Sequence, residues 1–364
     1  MTGGAMIEKP RARDIGVPFE GEPGRRNAIT DVTGVAVGHV TLIAGDGPLR
    51  VGVGPIRTGV TAILPRGRGE DAPVFSGWFA LNGNGEMTGS AWIEESGLLT
   101  GPVMLTNTHS VGAVRDAVIA WQIANHRMPG PWSLPVVAET WDGWLNDING
   151  FHVRAEHAFA ALDSAATGPV AEGGVGGGTG MVCHGFKGGI GTASRRVPTG
   201  TAEHTVGVLV QANHGLRRQL LVAGVPVGQE IQELPSKPDE AGSIIIVVAT
   251  DAPLLPHQLK AVARRAALGL ARTGSSGALS SGDIFVAFST ANPSCAGEWD
   301  TVGLTMLGAA HLSSIFEATA RATEEAIVNA LVAAETMTGI DDRTVFALPH
   351  DRLVDVLRKY SRTG

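Results

Sequence analysis

The sequence predicts an α/β fold in which sheets are covered by helices. Three observations carry the prediction. A continuous β-branched run, Ser243-Ile244-Ile245-Ile246-Val247-Val248-Ala249-Thr250, has the composition of a strand buried on both faces. Stretches 255–272 and 311–337 have the apolar spacing and alanine content of helices. The first half carries short apolar runs between glycine-rich turns, the mark of strands in a sheet.

Taken in chain order, strands are predicted at 35–41, 60–65, 74–78 and 103–106. Ser110 is placed to cap a helix over 111–125, and 152–164 has the spacing of a second helix. Strand pieces follow at 190–193 and 205–211, separated by a polar turn over 195–203 that contains Pro198-Thr199-Gly200. Residues 214–242, basic and apolar at first and then rich in proline, read as an exposed, flexible loop. The buried strand begins at once after Gly242. Helix 255–272, a second buried strand at 284–290 and the long helix 311–337 complete the chain.

Composition narrows the function. With 364 residues the chain has room for one large domain or two ordinary ones. Hydrophobic residues make up 43% and charged ones 17%, which disfavours disorder, and no apolar run approaches bilayer length, so a soluble protein with no membrane partner is expected. A net charge of −7, with basic pairs that lack interleaved aromatics, argues against nucleic acid. Cys183 and Cys295 are too few and too far apart to announce a disulfide framework or a zinc site, so a reduced, cytoplasmic setting is expected. The first twenty residues carry scattered charges and no apolar segment, so no secretory signal is read there. Fifty glycines are about twice the usual share of roughly 7%, which implies tight turns and close backbone packing.

Several chemistries lack their motif. Glycines 173, 174, 176, 177, 178 and 180 never satisfy G-x-G-x-x-G and read as a tight turn. The sequence contains no G-x-x-x-x-G-K-S/T, H-E-x-x-H or G-x-S-x-G, and His152 and His157 lack the spacing of helical zinc pairs. No metal site and no cofactor are expected.

What remains is Ser243, a serine that opens a buried strand directly after a proline-rich loop. Its hydroxyl is placed to attack the carbonyl of Gly242, and glycine, lacking Cβ, leaves that carbonyl open to approach. Cleavage would free an α-amine on Ser243 with an ordinary pKa of about 7.7 to 8.0. Such an amine is a suitable general base for the hydroxyl beside it. Taken alone, Gly-Ser before a strand reads as an ordinary turn sooner than as a cleavage site.

A resemblance adds weight to that reading. Ile29-Thr30-Asp31-Val32 with Val37-Gly38-His39, Asn82-Gly83-Asn84-Gly85-Glu86-Met87-Thr88-Gly89 and Thr106-Asn107-Thr108-His109-Ser110-Val111-Gly112 open a series of specific runs. It continues with the stretch from Glu139 through Gly150, Gln211-Ala212-Asn213, Gly242-Ser243 and Ser281-Gly282-Asp283-Ile284-Phe285. Together these runs resemble the DmpA family, which includes L-aminopeptidase/D-Ala esterase-amidases and β-peptidyl aminopeptidases.

The resemblance implies a four-layer αββα sandwich, like that of amino-terminal-nucleophile hydrolases but with different connectivity. It implies one hydrolase domain over residues 1–364, processed into 1–242 and 243–364, whose pairs assemble into a homo-oligomer. It makes Ser243 the nucleophile, Asn213 an oxyanion donor, Ser281 a hydrogen-bonding neighbour of the nucleophile, and Asp283 the acid that holds the Ser243 ammonium. Glutamate also occurs at that acidic position in the family. Glu139 is the candidate for binding the substrate's own ammonium, because an aminopeptidase needs a fixed negative charge there. At Trp141 the family pattern often has a tyrosine. An indole donates through Nε1 but cannot accept, so a shared tyrosine role in proton transfer is absent here. The expected activity is release of N-terminal residues from small peptides, amides or esters. Acyl transfer on the same fold and an uncut binding scaffold are the alternatives.

Overall fold

A computed structural model describes residues 9–69, 72–236, 242–296 and 300–363. The first strands are β1 (Ala36–Ala44), β2 (Ile56–Leu64), β3 (Val74–Ala80), β4 (Leu98–Leu99), β5 (Val103–Asn107) and β6 (Val136–Thr140). A small hairpin, β7 (Val182–Cys183) and β8 (Phe186–Lys187), precedes β9 (Gly189–Thr199), β10 (Ala202–Asn213), β11 (Ser243–Thr250) and β12 (Asp283–Ser289). The helices are α1 (Ser90–Ser96), α2 (Val111–Ala124), α3 (Ala155–Ser164), α4 (Val227–Glu230), α5 (Pro256–Arg272), α6 (Leu312–Val332) and α7 (His350–Lys359).

Two sheets carry the architecture. One has the order β1-β2-β5-β6, the other β4-β3-β12-β11-β10-β9. The alternation along β11 shows how they stack. Ile244, Ile246 and Val248 face α5 and α6, within a core that includes Val262, Ala266, Ala322 and Ala326. Ile245, Val247 and Ala249 point the opposite way, into a core shared with Ile63, Leu105, Val136 and Ala138 of the other sheet. The outer face of that first sheet packs Ala62, Met104 and Val137 against α2 and α3. The layers are therefore helices, sheet, sheet, helices, and the apolar run at 244–249 is continuous because both its faces are covered.

Pairing direction follows from the connections. β11 and β12 are parallel, joined by the crossover that contains α5, whereas β10 and β11 are antiparallel with Asn213 opposite Ser243. The ends of β6 and β10 and the starts of β11 and β12 thus meet at one edge of the molecule.

The structure corrects two expectations and adjusts others. The stretch 195–203 is not a turn: β9 and β10 pair through it, Thr199 opposite Ala202, and the reversal is confined to Gly200 and Thr201, with Gly200 at φ +65°. Its polarity misleads because Arg195 is buried, with Nη2 2.6 Å from Glu325, while Arg196 pairs with Glu203 across the two strands. Pro198 is tolerated because β9 is an edge strand. Nor is 214–236 an exposed loop. Leu220, Val222, Val225, Val227 and Ile231 are buried in the helix-side core, exposure is concentrated at 232–236, and 237–241 lie outside the described residues. Helix α3 starts at Ala155 rather than 152, and Ser110 precedes α2 without a side-chain cap bond. Among the described residues no helix is long and apolar enough to cross a membrane.

Candidate active site

The residues singled out from sequence gather where the strand ends meet. Ser243, the first residue of β11, is 7% exposed, and its Oγ accepts a hydrogen bond from the Gly282 N–H at 3.1 Å. Ser281 Oγ contacts two oxygens: the carbonyl of Gly242 and, at 2.6 Å, Oδ1 of Asp283. Asp283 is wholly buried at the start of β12. Asn82 clamps it, donating from Nδ2 to Oδ2 at 2.8 Å and accepting the Asp283 N–H at 2.6 Å. Burial pushes the Asp283 carboxyl above its ordinary pKa, against the pull of the Ser281 and Asn82 hydrogen bonds.

The glycine before Ser243 is a requirement of space. A Cβ on Gly242 would lie 1.6 Å from the Asn213 carbonyl oxygen and 3.1 Å from Asn213 Nδ2, so this peptide lies directly against Asn213. The Asn213 side chain is itself oriented from both ends: Nδ2 donates to the Trp141 carbonyl at 2.9 Å, and Oδ1 accepts from the Val182 N–H at 2.8 Å. One Nδ2 hydrogen remains for another acceptor.

Glu139, near the end of β6, is 2% exposed and has both oxygens engaged. Oε1 accepts the Glu86 N–H at 3.0 Å, and Oε2 accepts from Thr108 Oγ1. Burial raises its pKa, opposed by these two bonds. Gly85 separates it from the Ser243 group, since a Cβ there would sit 3.2 Å from Glu139 Oε1 and 3.0 Å from the Gly282 Cα. Trp141, 37% exposed, is brought to the site by its backbone carbonyl, and its ring lies over Gly143. Tyr360 is remote from this site, on α7's end with its hydroxyl on Glu230.

Two contributors had no role in the sequence reading. Asn82 and Thr108 both lie within the runs that carry the resemblance, and each fixes a buried carboxylate. A paired amide or hydroxyl within such a run is the available signal. The third omission is Asp142, fully buried next to Trp141. Asn146 donates to its Oδ1 at 3.0 Å, Oδ2 has no partner among the described residues, and burial pushes its pKa up to about 7. The structure also brings Cys183, His184 and His214 together, although no metal site was expected from sequence. Burial pushes the Cys183 thiol up to about 12 and the His184 imidazole down to about 4.

Facing sheets flanked by helices, with a serine opening a central strand beside a buried serine–carboxylate pair, define a serine hydrolase on a variant of the Ntn hydrolase fold. The profile of Peptidase family S58 matches residues 27–345. The chain belongs to peptidase family S58 and is an aminopeptidase with a serine nucleophile.

Its relatives agree in fold and in class. The β-peptidyl aminopeptidase BapA of Sphingosinicella microcystinivorans is 55% identical over 379 residues, covering 100% of this chain and 95% of that protein. The L-aminopeptidase D-Ala-esterase/amidase of Ochrobactrum anthropi superposes with a TM-score of 0.92 at 48% identity, covering 98% of this chain and 100% of that one. A β-aminopeptidase of a Burkholderia species does so with 0.89 at 52% identity, over 96% and 99%.

Proposed function

We propose that this aminopeptidase cuts its own chain between Gly242 and Ser243 and then works through the freed Ser243. The observation that carries the reading is the contact of Ser281 Oγ with the Gly242 carbonyl oxygen, because it puts a donor on the one bond that must break. Ser281 has a single hydroxyl proton and two oxygen neighbours. A proton on Asp283 would resolve this, letting it donate to Ser281 Oγ while Ser281 donates to Gly242 O.

Attack of Ser243 Oγ on the Gly242 carbonyl carbon breaks the C–N link and leaves an ester. Water then cleaves the ester to a Gly242 carboxylate and a free Ser243 with both amine and hydroxyl. During turnover the amine takes the hydroxyl proton as Oγ attacks the substrate carbonyl. The free Nδ2 hydrogen of Asn213 faces the developing oxyanion, and Asp283, now ionised, holds the Ser243 ammonium. The proton passes to the leaving amine, and water releases the acyl group. Glu139, fixed by Thr108 and the Glu86 N–H, serves the substrate's ammonium. Small peptides, amides or esters are the substrate class. The named relatives extend it to peptides that begin with a β-amino acid. The two pieces form one domain and assemble as a homo-oligomer of pairs, and the unpaired Cys183 and Cys295 suit a reducing, cytoplasmic compartment.

Intact-mass measurement of fresh protein beside Ser243→Ala tests the reading. Two fragments, of 242 and 122 (364 − 242) residues, are expected for the first and one chain of 364 for the second. Full activity from protein whose 242–243 link is closed would overturn it.

A further inference from the structure

Beside Asn213, at the β7–β8 hairpin and the end of β10, lies a second group of reactive side chains. Cys183 ends β7, His184 occupies the turn to β8, and His214 directly follows β10. Each offers one ligand atom within 4.8 Å of the other two, and all three are at most 1% exposed. Cys183 Sγ is 3.8 Å from His214 Nδ1. The two imidazoles cross at 74° with centroids 5.0 Å apart.

Two features point to a ligand rather than to packing. His184 Nδ1 lies 3.1 Å from the Leu216 carbonyl oxygen, so it carries the proton and leaves Nε2 as a lone pair. A ring nitrogen donating to a backbone carbonyl while the other is free is the arrangement used by metal-ligating histidines. The Nε2 atoms of both His184 and His214 have no hydrogen-bond partner among the described residues, although both are out of reach of solvent. Leaving such groups unpaired is costly, because they lose their bonds to water and gain none in return. The backbone is also shaped to the ring: a Cβ on Gly215, itself at φ +82°, would lie 2.3–2.8 Å from three atoms of His184.

The cations nearby are already committed. Lys187 Nζ donates to the Met181 and Gly188 carbonyls at 3.0 and 2.8 Å, and Arg217 Nε donates to the His184 carbonyl at 3.1 Å. Neither supplies what the His184 imidazole lacks.

We infer that Cys183, His184 and His214 form a three-ligand site for a thiophilic divalent cation, Zn²⁺ foremost. Zinc bonds of about 2.3 Å to sulfur and about 2.0 Å to nitrogen at a tetrahedral angle place S and N about 3.5 Å apart. Cys183 Sγ and His214 Nδ1, at 3.8 Å, are already close to that, and no pair of the three ligand atoms, all within 4.8 Å, has to close by more than about 1.5 Å. Loading exchanges the Cys183 thiol proton for the metal; the proton passes to solvent, and no electron moves.

The site braces rather than reacts. Val182, whose N–H orients Asn213 Oδ1, adjoins one ligand, and Asn213 itself adjoins another. A bound ion would tie together the two backbone segments that hold this amide. The inference stands apart from self-cleavage, since metal content and chain cutting are read independently.

The test takes the folded protein from cultures supplied with Zn²⁺ or with Co²⁺, without unfolding it, and measures metal per 364 residues after desalting. About one ion per chain is expected. The cobalt form should show a near-ultraviolet thiolate-to-cobalt band and visible bands of low coordination number. Cys183→Ser and His184→Gln should each lower retained metal roughly tenfold or more, whereas Cys295→Ser should leave it unchanged. If either ligand variant fails to fold, the cobalt spectrum of the unaltered chain decides. No retained metal, cobalt bound without the thiolate band, or equal retention by a folded Cys183→Ser overturns the inference.

Discussion

The two sides of Asn213 differ in how completely their buried polar atoms are used. On the β12 side, both oxygens of Asp283 are partnered, Asn82 is used at both ends, and Ser281 bridges Asp283 to Gly242. On the other side, His184 Nε2, His214 Nε2 and Asp142 Oδ2 have no partner among the described residues. A saturated network holds its members in one geometry, whereas an unsaturated one is costly until a proton or a cation arrives. The first suits chemistry that needs a fixed donor. The second suits a group whose state depends on what it has bound.

The largest expected effect lies on the boundary between the sides. Asn213→Ala should lower kcat by about 10²–10³-fold if its free hydrogen faces the oxyanion, the cost typical of one lost donor. Steady-state kinetics should show the loss mainly in kcat rather than KM. A change in KM alone would reduce Asn213 to a tether for Trp141 and Val182.

Next comes the saturated side. Asn82→Ala removes a donor from Asp283, and hydrogen bonds to charged groups are worth about 1.5–3 kcal/mol, so roughly 10–100-fold in activity is at stake. The missing donor also disfavours the carboxylate, so the acid limb of the pH–rate profile should move to higher pH. An unmoved limb would separate Asp283 from turnover.

The unsaturated side should change stability and its pH dependence, and leave the rate least affected. Asp142 has a folded pKa raised from 3.8 to about 7, so the native state holds a proton that the unfolded chain releases. Its stabilising contribution is full below the unfolded value and is lost as pH rises through about 7. Between those values the slope approaches about 1.4 kcal/mol per pH unit. Asp142→Asn should flatten this part of the urea-unfolding curve against pH, and an unchanged slope would assign the pH dependence to other groups.

Local pattern told a large part of this in advance. The run from Ile244 to Ala249 announced a strand covered on both faces, and α5 and α6 had clear helical spacing. Ser243, Asn213, Ser281 and Asp283 lie together where the strand ends meet, with Glu139 behind Gly85, and the roles that the resemblance implies for them are part of the proposal. What was missed depends on tertiary context. β6 is five residues long and is recognisable as a strand through its parallel pairing with β5. Arg195 reads as a turn residue until Glu325 of α6 arrives to pair with it. The Cys183–His184–His214 group spans a hairpin and the end of a distant strand, so no spacing rule could join its members.

The place of β11 in its sheet has one more consequence. It lies between β10 and β12, so a chain opened ahead of Ser243 would keep its new beginning laced to a neighbour on either side. One of those neighbours belongs to each piece. A nicked molecule would therefore migrate as two bands once denatured yet behave as one body in native buffer. Separately produced pieces would each expose a bare sheet edge that invites clumping before the two could meet.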